Sequence, residues 1–172
     1  LDQNSIDRFV KDLDGRAIDI LINNAGVYGP KPVKAADVTM KDWTPVMRTN
    51  AMAPLFIARA LLPNVEKGER KLIVNISSIM ASIEKGSAPS EYIYRSSKTA
   101  LNMVMACYAQ EIADTGVAVV NFHPGWVQTD MGGPNATLTP TESITHLRAS
   151  IEKLSFADTG KFLNYDGRPL PW

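Results

Sequence analysis

The chain has 172 residues, of which 45% are hydrophobic and 21% charged, and its formal net charge is zero. This composition is typical of one packed globular domain and excludes a disordered chain or one that binds nucleic acid through a basic stripe. The sequence has no apolar run of the roughly eighteen residues that a membrane span needs, and its N-terminus does not resemble a signal peptide. We therefore expect a cytoplasmic protein.

Cysteine and histidine predict no chemistry of their own. The single Cys107 cannot form an internal disulfide, and its apolar neighbours on a predicted helix favour a packed thiol over a nucleophile. Neither His123 nor His146 lies at metal-ligand spacing, so no metal site is expected.

The first two elements are a helix and a strand. Apolar residues recur every three or four positions over 4–14, which predicts a short amphipathic helix that Gly15 stops. Residues 17–22 (Ala-Ile-Asp-Ile-Leu-Ile) are typical of a strand in a parallel sheet that is covered on both faces. The tetrad Asn-Asn-Ala-Gly at 23–26 then follows the carboxyl end of this strand, where open α/β sheets bind ligands. A plain turn is the alternative interpretation of the tetrad.

The next predicted element is a long helix over residues 42–62. We expect Asp42 to cap it, which places Pro45 in the first turn, where amide hydrogens have no partner. Pro54 lacks the amide hydrogen that would bond the carbonyl of Asn50, so the helix should kink there and free that carbonyl. An exposed Asn50 beside an incidental proline is the alternative.

Two further strands are predicted at residues 71–77 and 117–122. Ser78 follows the first of them, and Pro124 and Gly125 follow the second, so these residues should share one edge of the sheet. The chain has no Gly-x-Ser-x-Gly elbow, which argues against a nucleophilic serine of the hydrolase type.

Two loops should border this edge of the sheet. The loop at 79–89 offers Met80 and Ile83 as apolar walls of a substrate pocket. Residues 131–140 contain two Gly and two Pro, which is typical of a mobile lid. The chain then ends with a predicted helix over about 141–154 and a strand at 161–165. Alternating strands and helices predict a doubly wound α/β fold with a mainly parallel sheet.

A long helix over 90–115, stopped by Gly116, carries Tyr94 and Lys98 four residues apart on one face. A phenol loses its proton near pH 10, so a tyrosine that acts as an acid or base near pH 7 needs a shift of about three units, roughly 4 kcal/mol. One cation about 4 Å away, at an effective dielectric near 20, supplies roughly that much. The pair alone could be part of a solvated helix face, so the other motifs are needed to interpret it as a catalytic pair.

Together these motifs resemble the short-chain dehydrogenase/reductase family along essentially the whole chain. They occur in the family's order and at about its spacing, although the step of sixteen residues from Ser78 to Tyr94 is longer than usual. The ending Tyr165–Trp172 is similar to the Sniffer and C-factor branch of carbonyl-reductase-like members. The residues that carry the resemblance are the tetrad at 23–26, Asn50, Ser78, Tyr94, Lys98, Pro124 and Gly125.

The resemblance implies a Rossmann-like domain that transfers a hydride between a nicotinamide cofactor and a carbonyl or alcohol. It implies that Tyr94 is the general acid/base and that Ser78 orients and polarises the substrate oxygen. Lys98 would lower the pKa of Tyr94 and hold the nicotinamide ribose, and the main chain of Asn50 would hold a water of a proton relay. The branch favours NADP(H) over NAD(H). The residues implied to contact the cofactor are Asn23, Ala25, Gly26, Tyr94, Lys98, Pro124, Gly125, Val127 and Thr129.

The resemblance also has implications for the oligomeric state and for the length of the dinucleotide-binding domain. It implies a homodimer or homotetramer through the helices around 42–62 and 90–115, although the methionines there could be core residues instead. None of the eleven glycines forms the family's Gly-x-x-x-Gly-x-Gly phosphate loop. We therefore expect residues 1–172 to be the C-terminal part of one dinucleotide-binding domain, with a β-α-β-α-β portion of roughly 60 to 80 residues before Leu1. A small self-sufficient domain, whose partner covers the open sheet edge, is the alternative.

Two rival functions stay open. The extended branch of the family, the sugar epimerases and dehydratases, is disfavoured by the Asn-Asn-Ala-Gly tetrad and the short C-terminal part. A catalytically silent signalling or scaffold protein of the same fold is disfavoured by the full set of four catalytic residues. The sequence names no substrate.

Overall fold

The computed structural model describes residues 2–31, 34–86 and 90–172. Within these ranges four strands form one sheet in the order β1-β2-β3-β4, and every neighbouring pair is parallel. The strands are β1 (Ile20–Asn23), β2 (Leu72–Ile76), β3 (Ala118–His123) and β4 (Phe162–Asn164). All four carboxyl ends therefore lie at one edge of the sheet, as the sequence predicts.

Five α-helices connect or precede these strands in the described residues. α1 begins after Asp2, whose side chain accepts a hydrogen bond from the Ser5 amide. α5 begins after Thr139, which forms a capping box with Glu142. Both helices begin one residue before their predicted starts at 4 and about 141. The helices are α1 (Gln3–Leu13), α2 (Met40–Met47), α3 (Ala53–Glu66), α4 (Tyr92–Glu111) and α5 (Pro140–Glu152).

Apolar residues cover both faces of the sheet, which confirms the doubly wound architecture. Side chains alternate along each strand, so Ile73 packs with α3 and α4, whereas Leu72 and Val74 pack with α5. This two-sided burial explains why β2 and β3 have nearly continuous apolar sequences. The first cluster includes Ala58, Val65, Leu101, Met105 and Val119, and the second includes Val120, Phe122, Leu147 and Ile151.

The helix predicted for 42–62 is interrupted by a π-helical segment, Arg48–Met52. It ends at Met52, two residues before Pro54. The break that Pro54 predicts in this helix is therefore present, in the form of a wide π-helical turn. The predicted start is wrong, because Thr39 caps α2 and accepts from the Asp42 amide. Pro45 therefore lies in the second turn and not in the first.

Two surface features bear on the sequence predictions. Cys107 is exposed, so the prediction of a packed thiol is wrong. The reason is that α4 turns Leu101 and Met105 towards the sheet, whereas Cys107 lies beside the exposed Met103. Among the described residues β1 pairs only with β2, and its Ile22 is half exposed.

No helix in the described ranges is long and apolar enough to cross a membrane.

Candidate active site

A ladder of asparagine side chains crosses the sheet near the carboxyl ends of the strands. Asn23 Nδ2 donates to Asn75 Oδ1 over 2.8 Å, and Asn75 Nδ2 donates to Asn121 Oδ1 over 3.0 Å. The three residues are register partners on β1, β2 and β3. Asn23 therefore ties neighbouring strands together, through partners that the sequence analysis did not predict. A signal was available, since Asn75 and Asn121 interrupt apolar strands at matching positions.

Asn50 lies in the π-helical segment and is completely buried, which excludes the exposed alternative. Its side chain bonds the backbone of Val27 twice: the Val27 amide donates to Oδ1 over 2.9 Å, and Nδ2 donates to the Val27 carbonyl over 2.8 Å. Nδ2 also donates to Ser97 Oγ over 2.9 Å, and the Ser97 hydroxyl donates to the Tyr94 carbonyl over 2.7 Å. The Asn50 side chain thus joins the segment after β1 to α4.

Tyr94 and Lys98 are buried, with exposed fractions of 7% and 4%, so they do not form a solvated helix face. Lys98 Nζ donates to the carbonyl of Ile76, the last residue of β2, over 2.7 Å. A Cβ atom added to Gly26 would lie 3.4 Å from Lys98 Nζ and 3.5 Å from Asn50 Oδ1. The end of the tetrad, the π-helical segment and α4 therefore meet at one point.

Ser78 is buried beside Tyr94, close enough for its side chain to act on the Tyr94 phenol. Its Oγ also accepts from the amide of Met80 over 3.1 Å, which caps a 3-10 turn over residues 79–81. Met80 is half-buried at the site, whereas Ile83 is 75% exposed, and its role as a pocket wall stays a prediction. Residues 87–89 of the predicted loop lie outside the described residues.

Burial shifts the pKa values of both Tyr94 and Lys98. It raises the pKa of Tyr94 above its ordinary 10.0, and the Ser78 side chain offsets only part of this rise. It lowers the pKa of Lys98 from 10.5 to about 8. The expectation that Lys98 brings the pKa of Tyr94 near 7 is therefore wrong for this structure. Desolvation is the main cause of the shift, and the Lys98 ammonium donates a hydrogen bond to the Ile76 carbonyl.

The segment 124–129 leaves β3 next to the end of β2, where the Ser77 amide donates to the Phe122 carbonyl over 2.7 Å. Gly125 has φ 86°, and a Cβ atom there would collide with Leu138. Val127 forms a bridge with the same Leu138. In the described ranges no hydrogen bond joins this segment to Tyr94 or Lys98, so Pro124, Gly125, Val127 and Thr129 belong to the same sheet edge but not to the hydrogen-bonded cluster.

Hydrogen bonds hold the predicted lid against this segment. Gln128 Nε2 donates to the Ala136 carbonyl over 2.9 Å, and Trp126 Nε1 donates to the Gly132 carbonyl over 2.8 Å. Ala136 is itself buried. Residues 131–140 are therefore a folded-back loop, and opening it as a lid would break these bonds.

Sequence reasoning missed two residues of the cluster. Ser97 connects Asn50 to the Tyr94 carbonyl, and only its position one turn after Tyr94 could have indicated it. Tyr28 stacks on the Tyr94 ring. Its only signal in the sequence is that it lies two residues after the tetrad.

Comparison with known proteins identifies the class. The family model described as short chain dehydrogenase matches residues 2–138. Because this match covers well over half of the chain, the chain belongs to the short-chain dehydrogenase family, and it is an NAD(P)-dependent oxidoreductase.

Individual relatives are similar over most of this chain. It is 37% identical over 155 residues to the C-signal of Myxococcus xanthus, a match that covers 90% of this chain and 93% of that protein. Among solved structures, the carbonyl reductase Sniffer of D. melanogaster is 32% identical with a TM-score of 0.93, covering 98% of this chain and 74% of Sniffer. An NADPH-bound carbonyl reductase from chicken fatty liver is 34% identical with a TM-score of 0.86, covering 98% of this chain and 71% of that one. These matches agree with the expected branch.

Proposed function

We propose that the protein reduces a carbonyl compound with NADPH and that Tyr94 donates the proton. One observation carries the proposal: Tyr94 and Lys98 are buried on one face of α4, with Ser78 beside Tyr94, at the carboxyl ends of parallel strands. A buried phenol with a raised pKa is protonated at neutral pH, so it is ready to act as an acid.

The residues present fit a nicotinamide cofactor. Gly26 offers bare backbone beside Lys98, so a ribose could approach closely. Lys98 uses one N–H for the Ile76 carbonyl, and an ammonium group has three, so the others are suited to ribose hydroxyl groups. The bound cofactor supplies the hydride. The NADPH of the chicken carbonyl reductase supports the choice of NADP(H). The residues proposed to contact it are Asn23, Ala25, Gly26, Tyr94, Lys98, Pro124, Gly125, Val127 and Thr129.

In the proposed reaction Ser78 donates a hydrogen bond to the substrate carbonyl and stabilises the negative charge that develops on its oxygen. The carbonyl carbon accepts the hydride, and the oxygen takes the Tyr94 proton, which yields the alcohol. The Lys98 ammonium stabilises the tyrosinate that is left. The carbonyl of Asn50, to which Pro54 has no amide hydrogen to donate, would hold the water that returns a proton.

The test is a Tyr94→Phe variant assayed with NADPH over a panel of small aldehydes and ketones. Loss of the proton donor should lower kcat by about 10²- to 10⁴-fold, because that is the range of general acid catalysis. NADPH affinity, measured by fluorescence titration, should stay close to wild type. A variant that keeps more than about a tenth of the wild-type rate would remove Tyr94 from this role.

The second candidate is a signalling or scaffold protein that binds nucleotide without turnover. The relative with 37% identity and nearly full coverage is named C-signal, and this favours keeping the candidate. The same panel discriminates, since NADPH binding without oxidation on any carbonyl would favour the silent protein.

We also propose a homodimer or homotetramer formed through the helices around 42–62 and 90–115. Exposed methionines on both helices support it, since Met52 is 44% and Met103 is 65% exposed. A cytoplasmic location is proposed on the composition alone.

A further inference from the structure

Tyr28 lies directly against the proton donor. Its ring is parallel to the Tyr94 ring, with centroids 4.3 Å apart and planes 8° apart. This is the geometry of an offset aromatic stack. The Lys31 ammonium lies 4.6 Å from the centroid of the Tyr28 ring. Because Tyr94 occupies one face of that ring, Lys31 covers the other, and Tyr28 is held between them.

The structure fixes Tyr28 from several sides. The preceding residue, Val27, is bound at both its amide and its carbonyl by Asn50. The following residue, Gly29, has φ 74°, and a Cβ atom there would lie 2.7 Å from Val46 Cγ2, so the chain passes closely over α2. The Tyr28 hydroxyl lies 3.9 Å from Met80 Sδ, and burial together with the nearby Glu91 raises the pKa of Tyr28.

We propose that Tyr28 is a positioning residue for the reaction and that its ring holds the Tyr94 ring in the orientation that keeps the phenol oxygen beside Ser78. The inference rests on the proposed function of Tyr94 as proton donor. A phenol that rotates away from Ser78 cannot protonate the substrate oxygen. The rate therefore depends on the fraction of molecules in the aligned geometry, which the stack increases.

The stack also keeps water away from the Tyr94 ring. The charged groups around the pair are Arg95 on α4, Glu91 at its N-cap and Lys31 after β1, with Lys98 one turn after Tyr94, whereas the 3-10 turn at 79–81 contributes none. Removing the Tyr28 ring leaves these charges in place and exposes Tyr94 to solvent. Because burial is the main cause of the raised pKa of Tyr94, that pKa should then fall.

The kinetic test compares side chains at position 28 that can and cannot stack. Tyr28→Leu should lower kcat about tenfold, equivalent to about 1.4 kcal/mol, with KM and NADPH affinity within about twofold of wild type. Tyr28→Phe keeps the ring and should restore kcat to within about twofold. The control is Tyr92→Leu, a partly exposed tyrosine of the same helix as Tyr94, which should behave as wild type.

A second measurement does not depend on turnover. The absorbance of tyrosinate is titrated in the wild type and in Tyr28→Leu, each with and without Tyr94→Phe, so that each difference isolates Tyr94. Tyr28→Leu should move the titration of Tyr94 to lower pH, and Tyr92→Leu should leave it unchanged. Tyr28→Ala repeats the test with another side chain that cannot stack.

Two results would overturn the inference: wild-type kcat in Tyr28→Leu, or a Tyr94 titration that Tyr28→Leu and Tyr28→Ala leave in place. Should the protein reduce no carbonyl at all, the proposed function fails, and the titration alone then decides whether Tyr28 controls the environment of Tyr94.

Discussion

The state of Tyr94 sets the direction in which the site works best. Its pKa is raised by burial, so the phenol is protonated across the neutral range and holds the proton that a reduction step needs. The site is therefore suited to carbonyl reduction at neutral pH, whereas alcohol oxidation needs the tyrosinate and should gain rate as the pH rises. In the proposed reaction the Lys98 ammonium stabilises the tyrosinate left after proton donation, because that is when a negative charge appears beside it.

Burial of Lys98 predicts a pH dependence of stability. Its folded pKa of about 8 lies below the ordinary 10.5, so between these values the unfolded chain binds more protons than the folded one. The contribution of Lys98 to the free energy of unfolding should therefore rise with pH across this window, by up to about 3 kcal/mol. The measurement is urea unfolding of wild type and Lys98→Met between about pH 7 and 10.5.

At each pH the free energy of unfolding of Lys98→Met is subtracted from that of the wild type. The contributions of the other titrating groups then largely cancel. A difference that stays flat or falls from about pH 8 upward would show that Lys98 is not desolvated in the folded protein.

At the scale of single elements, the π-helical segment is the feature that sets the position of Asn50. Pro54→Ala restores an amide that can close a regular α-helical bond to the Asn50 carbonyl. We expect this change to keep or raise the free energy of unfolding while lowering kcat several-fold, because Asn50 holds both Val27 and Ser97. Urea unfolding and steady-state kinetics measure the two effects.

Pro63→Ala is the matched control, because Pro63 is an exposed proline inside α3 and contacts none of these groups. It should stabilise the protein without changing kcat. Equal kinetic effects of the two substitutions would mean that the π-helical segment has no special role.

The sequence predicts the elements better than it predicts the site. The apolar runs of β2 and β3 and the spacing of Tyr94 and Lys98 follow from local patterns, and they are confirmed. Helix starts differ because several residues near each end can cap, and tertiary contacts choose among them. The sign of the Tyr94 pKa shift was wrong because it depends on how deeply the ring is buried, which no spacing encodes. The stack with Tyr28 is missed for the same reason.

At the scale of the whole molecule, α4 has one face towards the sheet and another towards solvent. Met103 on the solvent face is 65% exposed, and we expect a second copy of the chain to cover it. Met103→Glu places a charge in that interface and should shift the particle mass, measured by light scattering after size exclusion, from an oligomer to a monomer. Far-ultraviolet circular dichroism should be unchanged.

Met40→Glu is the control, because Met40 is 82% exposed at the start of α2, before the helical region proposed for the interface. It should keep the wild-type mass. An unchanged mass in Met103→Glu would exclude this face of α4 as the contact.

The asparagine ladder has a consequence for how the sheet chooses its pairing. β2 and β3 are apolar on both faces, so a strand that slipped by two residues would still bury hydrophobic side chains. In the observed register Asn75 meets both Asn23 and Asn121. A slipped pairing would leave buried carboxamides without partners, at a cost of about 1–3 kcal/mol for each group. The asparagine ladder therefore disfavours misaligned strand pairing, and apolar strands alone do not provide this specificity.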